Sequence, residues 1–335
     1  MALSAESRSV TIPSPGALIV VALGGNAISS PASRGTTDEA RAHLALALRG
    51  VVTLIERGYR IVLTHGNGPQ VGDILQRMEL ARAHVPALTL DLCGAQSQGQ
   101  LGYLIEQELR AALRARGITP VPDVATIVTQ VVVDPADPKF QRPSKPIGPL
   151  LPQARAAALQ AAGIPTIEVE PGSWRRVVAS PRPLRILQLP AIEMLVRQGV
   201  LVVACGGGGV PVVEGTDGTL RGIEGVIDKD LASALLATQL RASMLAILTD
   251  VPKVLLDYRT TKALELTRLT AGDARNLLEH DYFPPGSMGP KVQAAVEFVE
   301  ATGCHAVITS LEHAADLTDP RIGTHILAGA RRHDE

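Results

Sequence analysis

The stretch 200–232, VLVVACGGGGVPVVEGTDGTLRGIEGVIDKDLA, constrains this chain more than any other. Val200 to Ala204 is a short β-branched run between Gly199 and Gly206, the pattern of a strand buried on both faces. Gly206 to Gly209 carry no side chains, so the backbone there can take positive φ and a ligand can approach its N–H groups. Asp228, Lys229 and Asp230 stand directly ahead of LASALLATQL, which reads as an amphipathic helix with an acidic first turn. A lysine held between two carboxylates stays protonated and is aimed by them, as compensation of a developing phosphoryl charge requires. The triplet reads equally well as two capping aspartates beside a solvated lysine, and local pattern alone leaves both readings open.

Two further glycine-rich turns follow predicted strands. Leu18 to Leu23 ends in Gly24, Gly25 and Asn26, and Ile61 to Thr64 runs into His65-Gly66-Asn67-Gly68-Pro69. Ligands of open α/β sheets bind at strand carboxyl ends. Three such turns on one sheet edge would surround an oxyanion with backbone donors. Asn67 or Gly68 would cap the helix that Pro69 opens. His65 has no carboxylate at a useful spacing and reads as a structural histidine at a strand end.

Helical patterns are predicted over 38–57, 91–116, 189–198, 271–279 and from Lys291 to about Thr302, with strands at 124–133, 244–248, 306–309 and 324–327. This alternation predicts an α/β fold: an open αβα sandwich with a largely parallel, doubly wound central sheet, in two lobes. Residues 134–185 hold ten of the 24 prolines and read as a loop-rich excursion, an inserted, protruding lid subdomain. Its Lys139, Arg142, Lys145, Arg175 and Arg176 would cover an anionic substrate, although composition favours a solvated basic face. The expected organisation is a flexible tail over 1–16, an N-terminal lobe over 17–213 and a C-terminal lobe over 214–335. Small residues Gly94, Ala95, Ser97, Gly99 and Gly102 predict close packing of their helix, against a subunit or along a pocket wall. Residues 251–285 otherwise read as irregular.

Composition narrows the partners. A net charge of -1 and 2% aromatics give no field or stacking platform for nucleic acid, and no run is long enough to span a bilayer. Cys93, Cys205 and Cys304 form no C-x-x-C pair, which suits a reduced, cytoplasmic compartment. There is no G-x-x-x-x-G-K-[ST], and Val71 stands where a dinucleotide fingerprint would need its third glycine. Without H-E-x-x-H, G-x-S-x-G or a Cys/His cluster, backbone donors and lysines remain, equipment for phosphoryl transfer.

ALGGNA (22–27), THGNGPQVG (64–72), KPIGP (145–149), RRVVASP (175–181), CGGGGVPV (205–212), EGVIDKDLA (224–232) and GSMGPKV (286–292) together resemble the carbamate kinase family of the amino acid kinase superfamily. The resemblance covers about residues 17–328. It implies reversible phosphoryl transfer between ATP and carbamate, giving ADP and carbamoyl phosphate, with Mg²⁺ whose direct ligands it leaves unknown. It implies a homodimer working in nitrogen catabolism, including arginine metabolism, with carbamate on the N-terminal lobe and nucleotide on the C-terminal lobe. Gly24, Gly25, Asn26, Gly66, Asn67, Gly207, Gly208 and Gly209 would surround carbamate and the transferred phosphoryl group. Lys145 would reach across from the lid, Lys229 and Lys291 would neutralise phosphate charge, and Asp228 and Asp230 would orient them. Thr249, Asp250, Tyr258 and Met288 would lie along the nucleotide with Lys229 and Lys291. The sequence departs from the family after Asp250, where Pro252 and Leu255 replace the usual acid and tyrosine and Tyr258 is the substitute aromatic. Two other readings keep the fold: a kinase for another small carboxylate or phosphate-bearing acceptor, and a non-catalytic sensor of nucleotide or carbamoyl phosphate.

Overall fold

The alternation within LIVVAL, Leu18–Leu23, divides the core in two. In the computed structural model, Leu18, Val20 and Ala22 of this strand, β1, enter one buried cluster, while Ile19, Val21 and Leu23 enter another on the opposite face. Successive side chains point to opposite faces and both faces are covered, which is why the run is apolar throughout. The structure describes residues 10–25, 28, 35–258, 260, 263–283 and 288–329. Asn26, Gly286, Ser287 and residues 1–9 of the expected tail lie outside the described residues. The rest of that tail is held: Gly16 N–H donates to Gly58 O at 2.8 Å and Tyr59 Oη–H to Pro13 O at 2.9 Å.

After β1 come α1 (Thr37–Glu56), β2 (Arg60–His65), α2 (Gly68–Ala81), α3 (Leu90–Ala115), β3 (Val124–Thr126) and β4 (Gln130–Val132). Residues 134–185, the expected insert, hold β5 (Lys145–Pro152), α4 (Gln153–Ala161), β6 (Thr166–Glu170) and β7 (Ser173–Val178), and β8 (Arg185–Ile186) lies at their end. Then follow α5 (Leu189–Arg197), β9 (Leu201–Val203), β10 (Val210–Glu214), β11 (Leu220–Gly222), α6 (Lys229–Gln239) and β12 (Met244–Thr249). The last elements are β13 (Val254–Leu256), β14 (Leu264–Leu266), β15 (Arg268–Thr270), α7 (Ala271–Glu279), α8 (Met288–Thr302), β16 (His305–Ser310) and β17 (Thr324–Leu327).

Eight strands form the central sheet in the order β15-β17-β16-β12-β1-β2-β9-β3, and only the β16–β17 pair is antiparallel. Helices α1 and α3 cover one face and α5 to α8 the other, giving the expected αβα sandwich. Strands that precede residue 213 (β1, β2, β9 and β3) meet those that follow it (β12, β16, β17 and β15) at the β1–β12 pair. The β10–β11 hairpin straddles residue 213.

Three expectations need correction. Residues 124–133 are not one strand: β3 joins the central sheet, whereas β4 joins a second sheet of order β11-β10-β4-β8. The break falls at Thr129: its N–H donates to the Gln98 side chain, and its C=O accepts from Val210 N–H as well as from Gln98, so here the chain leaves the ladder of β9 for that of β10. The insert is not loop-rich; it holds α4 and an antiparallel sheet of order β5-β7-β6. Pro146, Pro149 and Pro152 are tolerated because β5 is an edge strand. Residues 251–285 include a β13–β14 hairpin and β15, segments of three residues each and too short to display periodicity.

Candidate active site

Because β1, β2 and β9 are neighbours in the sheet, their three glycine-rich ends lie side by side. A Cβ on Gly66 would stand 3.2 Å from Gly25 Cα and 3.5 Å from Lys229 Cδ, so these turns and the lysine converge. Gly207 has φ 63° and no room for a side chain, since a Cβ would fall 2.0 Å from Asn67 Nδ2. Asn67 occupies the N-cap position of α2 without a side-chain capping bond. Its amide instead donates to Ser97 Oγ at 2.7 Å, and Ser97 donates on to Gly94 O, so the small-residue part of α3 supports the second turn from below.

The acid-lysine-acid triplet opens α6 at this edge. Asp228 is the N-cap; its Oδ1 accepts from Asp230 N at 2.9 Å, while its Oδ2 accepts from Lys145 Nζ at 3.1 Å. Lys145 also donates to Ile227 O at 3.2 Å, so the insert's β5 reaches the start of α6. Asp230, 3% exposed, accepts from Lys229 Nζ at 2.5 Å on one oxygen and from Lys291 Nζ at 3.3 Å on the other. The expectation that Lys229 sits between two carboxylates is thus corrected: Asp230 pairs with Lys229, and Asp228 makes its direct contact with Lys145. Local spacing could not register the cation arriving from β5.

Electrostatics follow this arrangement. Burial opposes charge on Asp228, but Lys145, Lys229 and hydrogen bonds outweigh it and hold the carboxyl well below the usual range. Burial lowers the Lys229 pKa, Asp230 pulls it back up, and the charge of Lys291 lowers it. His65 is brought down to about 4, mainly by burial, against a bond to Gly66 O and with the Lys229 charge adding to the fall. It is a neutral structural histidine.

Gly24 packs toward the end of β12, its would-be Cβ 2.9 Å from Leu248 O, and Thr249 and exposed Asp250 follow there. Met288 begins α8, one turn before Lys291, and leans on the core. Tyr258 lies beyond β13 and is 46% exposed. Pro252 O accepts from Thr309 Oγ1–H at 3.1 Å, so the departing loop is tied to β16. Two contacts had no sequence signal. Ser233 Oγ donates to Lys229 O, and Thr64 Oγ1 lies 2.6 Å from Ser233 Oγ, joining β2 to the turn that carries Lys229.

Among the described residues no group of three or more His, Cys, Asp or Glu side chains is placed to hold a metal. Asp230 faces lysines on both oxygens and Asp228 on one, so these carboxylates do not fit a protein-held Mg²⁺. Such an ion usually rides on substrate phosphates and water.

Residues 17–134 and 149–310 match the model of the amino acid kinase family. The chain is 42% identical over 311 residues to the carbamate kinase of Pyrococcus horikoshii, spanning 92% of this chain and 98% of that one. Carbamate kinase from Giardia lamblia bound to citric acid is similar in structure, with a TM-score of 0.88 and 39% identity over 94% of this chain and 99% of the other. The same enzyme bound to AMP-PNP gives a TM-score of 0.86 and 38% identity over 94% and 99%.

Proposed function

This chain belongs to the amino acid kinase family and, within it, to the carbamate kinases, and from that premise we propose how its residues carry out the reaction. The reaction is phosphoryl transfer between ATP and carbamate. A carbamate oxygen attacks the γ-phosphorus, the bond from that phosphorus to the β,γ-bridging oxygen breaks, and the electron pair leaves on ADP. In the ATP-forming direction a β-phosphate oxygen of ADP attacks carbamoyl phosphate and carbamate departs.

One observation carries the reading: a buried Asp230 spans Lys229 and Lys291 beside the glycine turns of β1 and β2. Charge that spreads over the phosphoryl oxygens in the transition state meets cations already oriented, so little reorganisation is needed when the reaction occurs. Carbamate attacks as an anion and needs no general base, which accords with the neutral, buried His65. We assign Gly24, Gly25, Asn26, Gly66, Asn67 and Gly207 to Gly209 to carbamate and the moving phosphoryl. Thr249, Asp250, Tyr258 and Met288 are assigned to the nucleotide, with Lys145 closing the site from the insert as a lid. Mg²⁺, where it takes part, would be held by the nucleotide phosphates rather than by these carboxylates, and would offset phosphate charge. A homodimer, a cytoplasmic location and a role in nitrogen catabolism complete the proposal. No helix among the described residues is long and apolar enough to cross a membrane.

The test is ATP formation from ADP, Mg²⁺ and carbamoyl phosphate, with Lys291→Ala alongside. Turnover that disappears in the variant supports the assignment. A folded, unmodified protein without turnover would sink it and turn attention to other carboxylate acceptors.

A further inference from the structure

We propose that Gln98 and Thr129 are positioning residues that set the shape of the Cys205–Gly209 loop, and through it the seat of the transferred phosphoryl group. The proposal rests on the reading above, in which this loop borders the reacting phosphoryl.

Cys205 has φ 51°, a left-handed conformation that a non-glycine residue keeps only when its surroundings impose it. Thr129 imposes it from both ends of the loop. Cys205 N–H donates to Thr129 Oγ1 at 2.9 Å, and Val210 N–H donates to Thr129 O at 2.8 Å. The Thr129 hydroxyl gives its proton to Ile127 O at 2.7 Å, which leaves its oxygen turned to accept from Cys205. Gln98 then holds Thr129 as a neighbouring strand would, accepting from its N–H at 2.8 Å and donating to its C=O at 3.2 Å. Gln98 is 1% exposed, and Thr129 and Cys205 are 0% exposed, so water does not compete for these bonds. A Cβ on Gly206 would lie 3.1 Å from Gln98 Cγ and 2.4 Å from His65 Nε2, so α3 and β2 wall the loop closely. None of these atoms belongs to the lysine cluster. Their influence on the reaction runs through the loop backbone alone.

Thr129→Val preserves shape and removes the hydroxyl. We expect the KM for carbamoyl phosphate to rise about tenfold and kcat to fall about 100-fold, with the KM for ADP unchanged, because only the loop assigned to the phosphoryl is displaced. Thr129→Ser should restore both constants. Amide hydrogen exchange is measured on the same proteins: the peptide over 204–210 should be protected in the unmodified chain and exchange faster in Thr129→Val, with β1 and α8 unaltered. The exchange arm needs no turnover. An inactive unmodified protein with the predicted exchange counts against the proposed function, while unchanged exchange in Thr129→Val overturns the scaffold. Equal rises in both KM values, or no rescue by serine, overturn it as well. If Thr129→Val does not fold, Gln98→Met tests the same scaffold from α3 with the same expected split. Unprotected amides over 204–210 in the unmodified protein would end the proposal without any variant.

Discussion

Lys145 Nζ stands 3.1 Å from Asp228 Oδ2, joining the inserted sheet to the N-cap of the helix that presents Lys229. The other Asp228 oxygen accepts from Asp230 N at 2.9 Å, so one carboxylate both caps α6 and receives the insert. Substitution can separate these roles. Asp228→Asn keeps a good cap and loses the charge, whereas Asp228→Ala loses both, so alanine should be less stable than asparagine by about 1 kcal/mol. Lys145→Ala should lower the melting temperature modestly, since the pair is largely buried but Asp228 keeps the Lys229 charge and its backbone hydrogen bond. Its kcat should nevertheless fall by about 100-fold, the scale of losing one charged donor to the reacting group. Lys145→Ala with unaltered kcat would remove the insert from the reaction.

Asp230 is the second point of leverage. Asp230→Asn keeps the shape but leaves Lys229 and Lys291 near one another without the intervening carboxylate. Losing that charge favours neutral lysine, so the Lys229 pKa should fall further than burial already takes it. The alkaline limb of the kcat profile should therefore move to lower pH, and stability should drop by about 3 kcal/mol because buried ammonium groups lose their counter-charge. An alkaline limb that stays in place would mean that protonated Lys229 does not govern the rate.

Much of this site was readable along the chain because its parts are local. β1 and β12 are built on long apolar runs and β2 on the shorter Ile61-Val62-Leu63, and Gly24-Gly25, Gly66-Asn67-Gly68 and Gly206 to Gly209 mark strand ends where the backbone must be open. What was missed is long-range or short. The break between β3 and β4 comes from Gln98, 31 residues before Thr129, and nothing in VATIVTQVVV signals it. The partner of Asp228 lies 83 residues away, so the triplet looked self-contained. The prolines of β5 argued for a loop because their edge position appears only once β7 and β6 are in place.

Buried histidines set the pH dependence of stability. His65 and His305 are each brought down to about 4, chiefly by burial, from 6.5. Between those values the unfolded chain binds protons that the folded chain refuses, so stability is complete above 6.5 and declines as pH falls toward about 4. From pH 7.5 to pH 5 each residue should cost about 2 kcal/mol, measured as a shift in denaturant midpoint. His305→Gln should reduce that slope and leave the part due to His65 and to His325, whose pKa burial also lowers, whatever it does to absolute stability. Asp228 acts lower: its contribution is present above 3.8 and is lost as pH falls below that toward its depressed folded value. Midpoints that do not move between pH 7.5 and pH 5 would contradict the neutral assignment of both histidines.

The insert is seated on α2 by a backbone contact that admits no side chain. A Cβ on Gly72 would lie 2.2 Å from Gly148 Cα, and Val71 and Ile74 pack beside it against Ile147 and Val178. Gly72→Ala must push β5 away, at a cost of about 1–3 kcal/mol for overpacking. Lys145 is the first residue of β5, so it moves with the strand. The variant should therefore lose kcat in the manner of Lys145→Ala, and the double substitution should be no slower than Lys145→Ala alone, because both remove the same cation from the same place. Losses that multiply in the double variant would show that the glycine contact acts on the reaction by some other route.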